Sequence, residues 1–245
     1  MENIFLFSLF LDSFPQLLSR LHITVAIVVV ALFFGLILGT GIAVARLYKI
    51  PVLSQLATAY VSFIRGIPIL VLLFIVYIGA PLVAGAFGAN INRWDTLIFV
   101  MITYIMNSAA FLSEIVRSAV AGVEKGQMEA AFSVGMTRWQ AFHRIVAPQA
   151  IQIAIPALGN TVVSLLKDTS LAYTLGVIDV IGIIQAISSS THRSLEAYTA
   201  AAVIFFVLSF GLERFFKWLE RRIGINNTIP GAKGAANHKI AVVGR

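Results

Sequence analysis

The sequence predicts an all-α membrane protein with about five transmembrane helices. Three observations carry this. Of its 245 residues, 59% are hydrophobic and 12% charged, whereas a soluble domain carries about 25% charged residues. Mean hydropathy is +0.91. The apolar residues also fall into runs long enough to cross about 30 Å of hydrocarbon at about 1.5 Å per helical residue. There is no cysteine, which excludes a disulfide framework and a cysteine nucleophile or ligand. The net charge of +7 reads, in a membrane protein, as lysine and arginine gathered in cytoplasmic loops, not as a nucleic-acid surface. Glu2 stands where a signal peptide would carry basic residues, and no small-residue cleavage site follows, so the first span is expected to be retained.

Residues 1–20 hold FLFSLFLDSF, too short to span, and are expected to form an interfacial helix on the outer surface. The first span is placed at residues 23–45. Gly35, Gly39 and Ala43 recur every fourth residue within it, a spacing that lets helices approach closely. Arg46, Lys49 and Pro51 follow. The second span is placed at 53–79 and contains Arg65-Gly66-Ile67-Pro68. A charge near a span centre costs about 2.5–3.5 kcal/mol, so Arg65 needs a partner, water or the inner interface. Two readings stay open: a gating or interface role beside a kink at Pro68, or snorkelling.

An external loop is expected from Pro81 to Asp95 and a third span at 96–116. There Asn107, Phe111 and Glu114 share a face. Glu114 stands three residues before Arg117 and is read as an ion pair near the cytoplasmic end, with a substrate-pathway role as the alternative. Asn107 reads equally as helix–helix contact or pathway residue. The loop at 121–144 contains a short helix over Gln127–Val134. Gly135 then suits a left-handed turn, and Thr137 and Gln140 stand at capping-box spacing. Pro148 ends the following helix or opens the next.

The fourth span is placed at 145–166 and is expected to break at Pro156. Asn160, Ser164 and Lys167 share one of its faces. Asp168 to Ser190 is expected to form short helices dipping partly into the bilayer, with a sixth full span as the competing reading. The last span is placed at 194–218, closed by Arg214, Lys217, Arg221 and Arg222. Residues 223–245 are expected to be a flexible cytoplasmic tail. Lysine and arginine are richer on the side that holds Arg46, Lys49, Arg117, Lys125, Arg138 and Arg144. That side is therefore inside, which places the N-terminus outside and the C-terminus in the cytoplasm.

The stretch KGQMEAAFSVGMTRWQAFHRIVAP, Lys125 to Pro148, resembles the EAA motif of permease subunits of ATP-binding cassette (ABC) importers with the type I fold. Glu129-Ala130-Ala131, Gly135, Ile145 and Pro148 stand at its spacing; where the motif carries leucine before the proline, this chain has Ala147. FIRGIPILV from Phe63, FLSEIVRSAV from Phe111 and LGNTVVSLLKDTSLAYTLGV from Leu158 resemble the subgroup that carries polar amino acids such as histidine, glutamine, arginine or cystine. The resemblance covers Leu17 to Arg222. It implies that the loop docks on a separate ATPase through Gln127, Glu129, Ala130, Ala131 and Gly135. From the residues themselves, Arg65, Gly66, Pro68, Pro148 and Pro156 are expected to have gating or structural roles, and Asn107, Asn160 and Ser164, with Glu114 as an alternative, are expected to line a substrate pathway, because polar groups at membrane depth turn toward protein or water. The implied partners are two ATPase subunits, a second permease copy or a sister permease, and an extracytoplasmic substrate-binding protein.

No G-x-x-x-x-G-K-[ST] loop occurs, so this chain is expected to bind no cofactor; ATP and magnesium belong to the partner ATPase. Neither a His-Glu-x-x-His helix nor a Gly-x-Ser-x-Gly elbow is present, and His22, His143, His192 and His238 are scattered. They read as solvated residues, not as metal ligands, and no convergent catalytic set suggests an enzyme. A secondary transporter or channel without an ATPase is the alternative function. It should often show an inverted repeat of broken helices, and none is evident between the halves.

Overall fold

The computed structural model describes residues 5–223; the expected tail at 223–245 lies outside them except for Ile223, which ends the last helix. Among the described residues nine α-helices run in order: α1 Phe7–Leu47, α2 Leu53–Gly66, α3 Ile69–Ala86, α4 Thr96–Ala121, α5 Lys125–Ser133, α6 Arg138–Ala141, α7 Ala147–Asp168, α8 Val180–Thr191 and α9 Leu195–Ile223. A π-helical turn at Phe142–Val146 joins α6 to α7, and a 3-10 turn at Thr169–Leu175 follows α7. Among the described residues, five helical stretches are long and apolar enough to cross a membrane: Phe7–Leu47, Ile69–Ala86, Thr96–Ala121, Arg138–Leu175 and Leu195–Ile223.

The expected boundary at residue 20 does not appear as a break. Helix α1 runs on through Pro15 and Arg20 into the first span. Its early residues Leu9, Phe10, Phe14 and Leu17 pack on Val180, Ile184, Ala197 and Ala201 of α8 and α9, and this packing extends the helix past the bilayer length. The first turn is closed from the far end of the chain: Leu6 N–H donates to Glu196 Oε1 at 2.9 Å, and Arg193 Nη1 reaches the same oxygen at 3.2 Å.

The expected second span is two helices. Ile67 and Pro68 are both extended, with ψ of 147° and 139°, because a proline disfavours the helical region for the residue before it. Helix α3 then continues past Pro81 to Ala86, so the loop begins later than expected. It ends at Asp95, whose Oδ1 accepts the Leu97 N–H at 2.7 Å and caps α4.

Pro156 does not break α7. Pro148 opens it, directly after the π turn, whose last bond runs from Ala147 N–H to Phe142 O. A proline nitrogen has no proton to donate to the carbonyl four residues back, and its ring crowds that carbonyl; the widened turn accommodates both. The competing sixth span is not formed. Helix α8 has 12 residues, about 18 Å against about 30 Å of hydrocarbon.

Lipid tails are as apolar as leucine, so close packing must hold the helices together. The glycine stripe of α1 provides it against α4. A Cβ at Gly35 would stand 2.6 Å from Ser108 Cβ, and one at Gly39 2.8 Å from the Ala109 carbonyl oxygen. At the end of the same seam, Glu114 of α4 accepts from Arg46 Nη1 of α1 at 2.8 Å and from Arg117, one turn along α4.

Candidate functional site

Two features carry chemistry. The first is the loop between α4 and α7. Helix α5 ends at Ser133, and Gly135 turns the chain at φ +79°. A Cβ at Gly135 would meet nothing within 4 Å, so the requirement for glycine there is one of backbone conformation alone. Thr137 and Gln140 form the expected capping box: Thr137 N–H donates to Gln140 Oε1 at 3.0 Å, and Gln140 N–H to Thr137 Oγ1 at 3.3 Å.

The two alanines of the motif part company. Ala130 is exposed, but Ala131 is only 4% exposed, because successive helical residues differ in direction by about 100°. Ala131 faces inward where α5 folds back on α6, and its carbonyl accepts the Met136 N–H at 3.1 Å. The expectation that both face a partner is therefore corrected for Ala131. Glu129 is exposed, and Gln127 Oε1 accepts from Gln149 of α7 at 3.5 Å. Three residues that the sequence reading passed over, Phe132, Val134 and Trp139, are 42%, 74% and 71% exposed. They are large exposed apolar side chains, Phe132 and Val134 between the spanning stretches and Trp139 at the start of the fourth, and Glu129 and Ala130 are exposed nearby. Their type in an otherwise polar loop was the available signal.

The second feature is a cavity of about 170 Å³ between α4 and α7. Asn107, Ser108 and Phe111 line it from α4, and Asn160, Thr161, Ser164 and Asp168 from α7. The structure thus brings together Asn107, Asn160 and Ser164, and adds Thr161 and Asp168. Tyr104 Oη donates to the Asp168 backbone carbonyl and ties the end of α7 to α4. Glu114 lies elsewhere. It is two turns along α4 from Asn107, held by its two arginines. The guanidinium of Arg65 sits 5.3 Å from the centre of the Phe111 ring, so the last turn of α2, next to the break at Pro68, touches the cavity wall. Gly66 has open space around it. Among the described residues, no group of three or more His, Asp or Glu side chains could hold a metal.

Outside the five spanning stretches, Asp179 caps α8. Its Oδ1 accepts the Ile181 and Gly182 N–H groups, both at 3.0 Å, while Oδ2 is buried without a partner. Burial pushes this carboxyl up to about 6, against the pull of those donors.

Comparison with known proteins agrees with this geometry. The chain is 42% identical over 228 residues to the L-cystine transport system permease protein TcyL of Bacillus subtilis, covering 93% of this chain and 95% of that one. It is 38% identical over 217 residues to the probable amino-acid ABC transporter permease protein PatM of Vibrio harveyi, covering 89% and 96%. Among solved structures, a chain from an amino acid ABC transporter with histidines superposes with a TM-score of 0.80 at 31% identity, covering 90% of this chain and 100% of that one. A chain of the inward-facing MetNI methionine ABC transporter shares the fold, with a TM-score of 0.68 at 19% identity over 84% and 95%. The model of the binding-protein-dependent transport system inner membrane component family matches residues 31–225, and this chain belongs to that family.

Proposed function

We propose that the chain is the membrane subunit of an importer that carries a polar amino acid and is driven by ATP hydrolysed on a separate ATPase. The single observation that carries this reading is the α5–Gly135–α6 hairpin. It is a capped element between the third spanning stretch and the start of the fourth, and it presents Glu129, Ala130, Phe132, Val134 and Trp139. A mere connector needs neither the capping nor the exposed aromatic side chains. In this reading the hairpin docks on the ATPase, which holds ATP and magnesium. Two ATPase chains serve two permease chains, a second copy or a sister, and an extracytoplasmic binding protein delivers the substrate. The N-terminus lies outside and the C-terminus in the cytoplasm.

The amino acid class is supported by the relatives and by the cavity chemistry. The Asp168 carboxylate suits an ammonium group, and Asn107, Asn160, Thr161 and Ser164 can bond both ends of a zwitterion. Closing of the ATPase pair moves the hairpins together, and the spans change from inward-open to outward-open. The break at Pro68, with Arg65 on Phe111, supplies the hinge and gate of that change.

The test is reconstitution with the ATPase and binding protein in vesicles. Polar amino acids are expected to stimulate ATP hydrolysis and to enter only with ATP. Uptake driven by an ion gradient without ATP would overturn the reading.

A further inference from the structure

The exposed surface of α2 is sorted by polarity. At about 100° per helical residue, Ala57, Val61 and Ile64 share the buried face. Leu53, Leu56 and Phe63 fall on one flank of it, and all three are exposed. Ser54, Gln55, Thr58, Ser62 and Arg65 fall on the opposite flank, where only Ser54 is partly covered. The first flank suits lipid tails. The second does not, because polar groups among spanning helices turn to protein or water. Thr58 Oγ1 donates to the Ser54 carbonyl of its own helix at 2.8 Å. The side chains of Ser54, Gln55 and Ser62 have no hydrogen-bond partner among the described residues.

The polar flank joins two sites. Helix α2 runs antiparallel to α4. Tyr60 Oη donates to the Met106 carbonyl at 2.7 Å, and the Arg65 guanidinium sits over Phe111. At the other end Ser54, Gln55 and Thr58 share a pocket of about 460 Å³ with Arg117, and Arg46 and Lys49 line it too. Phe111 is also a wall of the cavity that holds Asn107, Asn160 and Ser164. From Arg65 to Ser54 the stripe covers about 16 Å. Glu114 stands between these ends on α4, three residues beyond Phe111 and three before Arg117. Arg65, Arg46, Lys49 and Arg117 outnumber it, so the path is positive.

We propose that the polar flank of α2 and the facing turns of α4 form a water-filled exit lane. An amino acid leaves the cavity along it, its carboxylate drawn from Arg65 toward the cations at the far end. Charge of one sign between low-dielectric walls concentrates the opposite charge. That an amino acid is what passes rests on the importer reading; that the lane is wet and positive does not.

The chain has no cysteine, so single cysteines can map the lane in the complex with the ATPase, held without nucleotide in bilayer discs. Thr58→Cys and Ser62→Cys should react with water-soluble methanethiosulfonates about tenfold or more faster than Leu56→Cys and Phe63→Cys. At the two lane positions the anionic sulfonatoethyl reagent should outpace the cationic trimethylammonium reagent about tenfold, each rate taken relative to a free thiol. Arg65→Gln should erase most of that preference in the Ser62→Cys chain. Equal reactivity on the two flanks makes the stripe a helix–helix contact and overturns the inference, as does a preference for the cationic reagent.

Passage of substrate is read separately. Ser62→Trp fills the lane and should lower ATP-driven amino acid uptake about tenfold with the ATPase retained, whereas Phe63→Trp on the lipid flank should stay within about twofold of wild type. Normal uptake with Ser62→Trp overturns passage along this lane. If the wild-type complex shows no ATP-driven uptake at all, the importer reading falls, and the labelling pattern alone still decides whether the lane is wet and positive.

Discussion

At Asp179 two demands conflict. The first turn of α8 needs an acceptor, and Oδ1 provides it, while burial opposes the charge and leaves Oδ2 unpartnered. The folded carboxyl holds its proton up to about 6, against an ordinary value of 3.8. The unfolded chain releases that proton first, so stability is lost as pH rises from about 4 to about 6. Asp179→Asn keeps a good cap without the charge. It should raise the thermal midpoint in detergent at pH 7 and flatten that pH dependence, by up to about 3 kcal/mol at 1.36 kcal/mol per pH unit. A lower midpoint at pH 7 would show that the cap needs the full charge. At Gly35 the demand is purely spatial. Gly35→Val drives its Cβ into Ser108 and should cost about 1–3 kcal/mol, read as a midpoint several degrees lower. The glycine spacing was legible in the sequence; that its partner is Ser108 was not, because the register between α1 and α4 is a property of the packed pair. The second arginine on Glu114 was hidden for the same reason. Arg117 is one turn away, while Arg46 is 68 residues distant.

The hairpin between α4 and α7 was the most legible element. Its glycine and capping box are local signals, and both act as the sequence predicts. Which alanine faces outward was not legible, since that depends on how α5 folds back. The two alanines should now separate by experiment. Glu129→Arg and Ala130→Arg alter the exposed face and should leave the protein in the membrane while releasing the ATPase, a loss of about a hundredfold or more in copurification and of ATP-driven uptake. Gly135→Val forces a branched side chain to φ +79° and should act likewise by re-aiming the hairpin. Ala131→Arg buries a charge in the hairpin itself and should also lower the protein's stability. Normal partner retention in the first three would reduce the loop to a connector. The break at Pro68 was half legible. Pro68 announced a disturbance, but a full interruption between two helices requires the extended Ile67 as well.

At the scale of the molecule, the number of spans was readable from composition and run length. The path of the chain across the membrane was readable only as a charge bias. That bias predicts cytoplasmic Arg138 and external Arg93. Single cysteines at these positions should be labelled by an impermeant reagent from opposite sides; labelling of position 138 in intact cells would reverse the topology. The cavity makes a separate claim. Asn107→Leu, Asn160→Leu and Ser164→Leu should each lower uptake while the ATPase still copurifies, and normal uptake in all three would make these residues helix–helix contacts only. The sequence grouped the polar residues within α4 and within α7 by face, but could not show that the two faces meet.

The bond from Leu6 N–H to Glu196 joins residues 190 positions apart. A ribosome delivers Leu6 first and Glu196 only when the chain is nearly complete. For most of its synthesis, then, the first helix enters the membrane with its opening turn unclosed. The start of the protein is completed late, and a nascent chain released before Glu196 emerges lacks this bond at its first turn.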